Sequence, residues 1–287
     1  MDQSRYLKPM ELGEILDASV RLYRKNFLVL ITVQLPLTVI LFFILATGGR
    51  ISLLGISVPT KPLTSLIYYI QLFIVRPLTL GAITKAASDS ILKGSSSVKE
   101  AYRFSLRNKR KLIVTYFIIS VVSEFVVAFF IVISLEAIID ALTSEYIIYS
   151  AIALICASII LALGVSVASF LWIRLMSAFP IMVNEENEKI GSLDAMKRSW
   201  NLLTGYTAKM FFAMFIVILI PNIIQSTIPA LEFLVERSSI FLTIFFGLAA
   251  QGIIYPLVDC TRVVIYFELK VRKEGFDLEE RVRQVIK

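Results

Sequence analysis

Apolar runs long enough to cross a lipid bilayer dominate the pattern of this chain. A spanning helix needs about 20 consecutive, mostly apolar residues. Asn26 to Gly49 and Tyr146 to Ile173 carry no charge, and the second run continues past Arg174 to Val183. Leu63 to Thr84 is interrupted only by Arg76, and Leu112 to Leu135 only by Glu124. Met210 to Leu231 and Ser238 to Val258 complete the set. The pattern therefore predicts about six transmembrane helices in an all-α, polytopic membrane helix bundle. Pro36, Pro77, Pro180, Pro221 and Pro256 lie in or near these runs. They predict kinks, which neighbouring helices make tolerable by re-satisfying the freed carbonyls.

Between the apolar runs the period changes to that of amphipathic helices. Leu12, Ile15, Leu16, Ser19, Leu22 and Tyr23 share one helical face, opposite Glu14, Asp17, Arg21 and Arg24. Val98, Ala101, Tyr102 and Ser105 oppose Lys99, Arg103 and Arg107. Leu193, Met196, Trp200 and Leu203 oppose Asp194, Lys197 and Asn201. Two readings stand for such helices: they lie in the headgroup layer, or they pack on the ends of the spans. Ser97-Val98-Lys99-Glu100 matches a capping box for the second helix. At the C-terminus the last span continues as a helix from Val263 to Glu274, with Gly275 as its C-cap. Asp277-Leu278-Glu279-Glu280 then opens a final short helix, Leu278 to Val285, within residues 276–287.

The three amphipathic segments align with one another. Glu14, Glu100 and Asp194 correspond, as do Ser19, Ser105 and Ser199, and Pro77 and Pro256 fall at nearly the same combined offset. This predicts one integral membrane domain over residues 1–287. Its threefold repeat is amphipathic helix, span, span, with units near 10–95, 96–190 and 191–275. Each unit keeps the same topology, unlike the inverted repeats of many transporters.

Composition agrees with a lipid-solvated chain: 57% of residues are hydrophobic and 18% charged, against about 25% charged in ordinary soluble domains. The net charge of +7 would raise nucleic acid as a partner in a soluble protein. Here 24 of the 29 Lys and Arg residues fall in the N-terminal segment, the second and fourth connections and the C-terminal segment. The alternate connections hold only Arg50, Lys61 and Arg237. That asymmetry predicts both termini on the cytoplasmic side of the cell membrane and leaves no role for nucleic acid. Cys156 and Cys260 both lie in apolar runs, so a disulfide scaffold is not expected. The first 26 residues carry acidic as well as basic side chains and lack the pattern of a cleaved signal.

The chain has no histidine. Histidine-based triads and histidine-ligated metals are thereby excluded. No phosphate loop, nucleotide fingerprint or metal-spaced acidic cluster is present, so neither a cofactor nor a metal is expected.

Four segments together resemble the membrane-domain family of the glycerophosphoryl diester phosphodiesterases. They are Leu12-Gly13-Glu14-Ile15-Leu16-Asp17 with Arg21-Leu22-Tyr23-Arg24-Lys25-Asn26-Phe27; Pro77-Leu78-Thr79-Leu80-Gly81-Ala82; Arg198-Ser199-Trp200 with Gly205; and Tyr266 to Asp277. The resemblance implies a membrane module standing alone, because the histidine and acidic metal ligands of the phosphodiesterase barrel have no counterpart here. It implies no activity.

Candidate chemistry lies in charges placed at membrane depth: Arg76, Glu124, Arg174, Asp259 and Arg262, with Gln225 as a polar candidate. Such charges are costly and usually pair or face water. Their similar depth predicts that Glu124 pairs with Arg76 or Arg174; the alternative is that each arginine snorkels separately to the headgroups. Asp259 and Arg262 are spaced to pair on one helix. Gln34, Gln71, Asn222 and Gln251 suit hydrogen bonds between helices or a transport path. Arg103, Arg107, Lys109, Arg110 and Lys111 are candidates for binding anionic lipid headgroups. Two functions follow as expectations. One is a non-catalytic, lipid-interacting scaffold or partner subunit, with a protein partner or a second copy possible. The other is a transporter or channel for a small amphiphilic or lipid-derived solute, and an intramembrane acid–base enzyme ranks behind both. A closed, packed centre favours the first, and a wet cavity reaching Glu124 the second.

Overall fold

The computed structural model describes residues 6–46, 50–53, 56–59, 61–143, 146–185, 190–235, 245 and 247–275. It is an all-α helical bundle of a membrane protein. Helix α1 spans Leu12–Lys25 and α2 Phe27–Ala46. A short antiparallel hairpin follows, β1 (Arg50–Leu53) with β2 (Ile56–Pro59), and Ile51 lies opposite Val58. This connection alternates β-branched and serine residues over too few positions for a helix. Then come α3 (Pro62–Ile70), α4 (Arg76–Leu92), α5 (Val98–Arg107), α6 (Lys109–Thr143), α7 (Ile147–Leu175) and α8 (Ala178–Asn184). Last are α9 (Ser192–Leu203), α10 (Thr207–Val235) and α11 (Tyr255–Glu274).

Five helical stretches among the described residues are long and apolar enough to cross a membrane: Phe27–Ile44, Pro62–Leu92, Lys109–Ala141, Ile148–Asn184 and Thr207–Ile224. Much of the expected sixth span, Ser238 to Val258, lies outside the described residues, as does the expected C-terminal helix Leu278 to Val285.

Two of the helical stretches break just before a proline. A π turn, Gln71–Val75, precedes Arg76-Pro77, and a second, Ala249–Ile254, precedes Tyr255-Pro256. Proline has no N–H for the carbonyl four residues earlier and its ring presses on that turn. Here those carbonyls belong to Phe73 and Gly252, inside the π turns, where the widened coil takes up the misfit. Between α7 and α8 the chain breaks at Met176-Ser177, ahead of Pro180.

Beyond each break the helix is buried. Helices α4, α8 and α11 pack on one another at the centre, with Ile83, Ala87, Ile181, Val264, Ile265 and Tyr266 almost fully enclosed. The amphipathic helices close around them: α5 packs on α4, α9 on α8, and α1 on α11. Each thus leans on the inner helix of the preceding pair, and α1 completes the ring. Their aligned serines, Ser19, Ser105 and Ser199, are all completely buried. Both earlier readings of these helices are thereby narrowed: all three pack on protein.

Two local expectations need correction. The buried face of α9 is Ala195, Met196, Ser199, Leu202 and Leu203, while Leu193 is 62% and Trp200 37% exposed. Trp200 faces outward to stack on Arg174. Ser97 begins α5 but its hydroxyl makes no capping bond. The reciprocal capping box is at Glu11 and Glu14, where the Glu11 N–H donates to Glu14 Oε2 at 2.8 Å. Gly275 does end α11 in the left-handed conformation, φ 64°, which glycine alone adopts without strain.

Candidate functional site

The two π turns aim their following residues at the same place. The Arg76 guanidinium at the start of α4 lies over the Tyr255 ring at the start of α11, 5.3 Å from its centroid. One turn further along α11, Arg262 Nη1 donates to Asp259 Oδ1 at 3.0 Å, the local pair that the spacing predicts. The Arg262 guanidinium also stacks on Trp172 of α7 at 5.0 Å. Asp259 is the carboxylate within electrostatic reach of both arginines, and Tyr116 of α6 and Tyr255 are their phenolic neighbours. The Asp259 and Arg262 side chains are 7% and 11% exposed. Four helices thus frame two cations and one anion.

The expected pairing of Glu124 with Arg76 or Arg174 does not form among the described residues. The buried stripe of α6 runs through Leu112, Thr115 and Ile119. Glu124 lies about 100° around the helix from the next residue of that stripe, Ser123, and is exposed. Arg174 turns the other way. It donates to the Trp200 carbonyl at 3.1 Å and to Thr204 Oγ1 at 2.8 Å, and is held between the rings of Phe170 and Trp200. It thereby neutralises carbonyls at the C-terminal end of α9, where a helix carries partial negative charge. The Gln225 side chain lies outside the described residues. Gln34 Nε2 donates to the Gln251 carbonyl at 2.9 Å, and Asn222 to its own helix at Ile218. The lipid-headgroup candidates Arg103, Arg107, Lys109, Arg110 and Lys111 are all exposed, at the corner where α5 meets α6.

The structure adds three buried carboxylates that the sequence reading passed over. Asp89 on α4 pairs with Lys85 at 3.0 Å and Lys93 at 3.1 Å. Glu185, after α8, accepts from Tyr266 Oη at 2.9 Å and Arg198 Nη2 at 3.0 Å, with Lys270 3.5 Å away. Glu268 on α11 is wholly enclosed and pairs with Arg272 at 2.8 Å and Lys209 at 3.4 Å. Lys209 and Arg272 also both donate to the Met10 carbonyl, tying the entry of α1 to α10 and α11. Burial, reinforced by the Glu185 carboxylate, raises the Tyr266 phenol well above its ordinary range, so it stays a donor. One signal was available. Asp89 and Glu268 share the Pro77-to-Pro256 offset, and each has a cation four residues on, Lys93 and Arg272. Glu185 had none, because its partners come from distant segments.

A cleft lined by Phe104, Lys111, Met182, Glu185 and Ile190 has about 10 Å³ of free space, roughly the least that holds one water. Fold and site together define an integral membrane helix bundle with ionic clusters tying its helices at depth. No family model, curated protein or solved structure matches the chain.

Proposed function

We propose that the protein is a non-catalytic module of the cell membrane that binds anionic lipid headgroups and serves as a scaffold or partner subunit. The observation that carries this reading is the exposed basic corner Arg103, Arg107, Lys109, Arg110 and Lys111 at the foot of a 33-residue span. Cations beside a span attract anionic lipid by about 1 kcal/mol each near the surface. The uneven distribution of Lys and Arg supports placing this corner, and both termini, on the cytoplasmic face. The resemblance to the membrane domain of the phosphodiesterases supports a lipid setting for the whole chain. The packed centre of α4, α8 and α11 favours a scaffold over a conduit. The alternative, passage of a small amphiphilic solute, draws its support from the buried charges around Arg76. Glu124 no longer contributes to it.

The test uses spin-labelled lipids in proteoliposomes. Phosphatidic acid should associate with the wild-type protein more strongly than phosphatidylcholine, and the preference should shrink at high salt and in Arg103→Gln/Arg107→Gln. Equal association of the two lipids with the wild type overturns the reading. Solute flux that Arg76→Gln abolishes would establish the alternative.

A further inference from the structure

The cluster around Arg76 carries more positive than negative charge. Two guanidiniums, Arg76 and Arg262, share one carboxylate, Asp259, and among the described residues it is the acid that bears most strongly on either arginine. Burying an uncompensated charge is expensive, and at membrane depth there is no bulk water to offset it. The other buried acids differ in this respect. Lys93 beside Asp89 has a side chain 59% exposed, and Lys209 and Arg272 beside Glu268 are 22% and 23% exposed, so their surplus charge reaches solvent. Arg262 is 11% exposed, too little for it to snorkel to water.

The donors are incompletely used as well. Arg262 spends Nη1 on Asp259, while its Nε–H is buried without a hydrogen-bond partner among the described residues. Arg76 has Tyr116 as a hydrogen-bond partner and Tyr255 as a ring contact, but no ion pair within salt-bridge distance among the described residues. Arginine carries a planar fork of N–H groups suited to two oxygens of one phosphate. The frame is not sealed: Tyr116, Trp172, Tyr255 and Arg76 are each only partly buried. Tyr116 lies about 10 Å along α6 from Lys109, which places the cluster just beneath the basic corner.

We infer that Arg76 and Arg262, set against Asp259, form a binding site for one phosphate group, entered from the lipid-facing side between α4, α6 and α11. A phospholipid headgroup and free phosphate offer the same chemistry. The site shares the lipid setting of the proposed function but none of the residues of the basic corner, so the two fail independently. Asp259 holds Arg262 in place and at the same time limits the charge presented to the anion.

The experiment is thermal unfolding of delipidated protein in neutral detergent, titrated separately with inorganic phosphate and with short-chain phosphatidic acid. The wild-type protein should be stabilised with saturation at one equivalent site. Arg262→Gln and Arg76→Gln should need at least about tenfold more ligand, whereas Arg103→Gln/Arg107→Gln should respond like wild type. Asp259→Asn should bind more tightly, an effect that a purely structural role for the cluster does not produce. A response to phosphatidic acid alone assigns the site to lipid; a response to both assigns it to the phosphate group itself. No response of the wild type to either probe overturns the inference, as do unchanged titrations in both arginine variants. Should those variants fail to fold, Asp259→Asn decides, and binding that is weaker or unchanged overturns it.

Discussion

The guanidinium of Arg76 rests on the ring of Tyr255, 5.3 Å from its centroid, and both residues stand immediately before a proline that ends a π turn. Two residues that each directly precede a proline, far apart in the chain, therefore meet face to face. A desolvated cation–π contact contributes about 0.5–2 kcal/mol. Tyr255→Leu is expected to lower unfolding free energy in detergent by about 1 kcal/mol, and Tyr255→Phe by distinctly less because the ring face remains. Equal losses in the two variants would assign the effect to the hydroxyl.

Glu124 is exposed on α6 and forms no ion pair with Arg76 or Arg174 among the described residues. Glu124→Gln should leave stability unchanged or raise it. A double-mutant cycle between Glu124 and Arg76 should give a coupling below about 0.5 kcal/mol, the value typical of separated sites. A larger favourable coupling, read from denaturant unfolding in mixed micelles, would restore the pairing that sequence depth predicts.

Glu268 is wholly enclosed, and Arg272 supplies its shortest bond, 2.8 Å. Arg272→Met should cost about 1.5–3 kcal/mol, as expected for losing a hydrogen bond to a charged group. It should also loosen the N-terminal segment, because Arg272 also holds the Met10 carbonyl. Hydrogen exchange at the start of α1 is the readout, and unchanged protection there would refute the link.

Two glycines separate by what surrounds them. A Cβ on Gly164 of α7 would collide with Cβ and Cγ of Phe130 on α6, atoms next to the backbone. A Cβ on Gly81 would meet the far end of the Leu112 side chain, 2.6 Å away. Alanine is better than glycine in a helix by about 1 kcal/mol. Gly81→Ala should therefore be close to neutral, while Gly164→Ala should destabilise by about 1–3 kcal/mol, both measured as melting temperature.

Tyr23 donates to the Ile253 carbonyl at 2.5 Å, and burial pushes its phenol up to about 12. The unfolded phenol ionises near its ordinary value of 10.0. Stability from this group is thus complete below about pH 10. It falls as the unfolded chain ionises and is gone once the pH passes about 12. Tyr23→Phe should lose stability at neutral pH, yet show a shallower alkaline decline than wild type in pH-dependent melts.

The long uncharged runs were legible because a span is a local, one-dimensional property: twenty apolar residues need lipid or protein wherever they sit. The amphipathic helices and the Gly275 cap were legible for the same reason, since period and backbone conformation are set within a few residues. Depth along a helix could be counted too, but rotation could not. Glu124 and Arg76 share a depth, and about 100° of turn separates Glu124 from the buried stripe of α6. The prolines announced breaks, although nothing local showed that two π turns would bring Arg76 against Tyr255.

The sequence by itself determined that this is a helical membrane protein without histidine chemistry, because solvation and composition act residue by residue. Only the tertiary structure decided which charges meet. Arg76 comes within electrostatic reach of the Asp259–Arg262 pair, and Glu185 gathers Arg198, Tyr266 and Lys270, because α4, α8 and α11 converge from positions far apart in the chain. Ion pairing depends on distances of a few ångströms across helices, and those are set by packing.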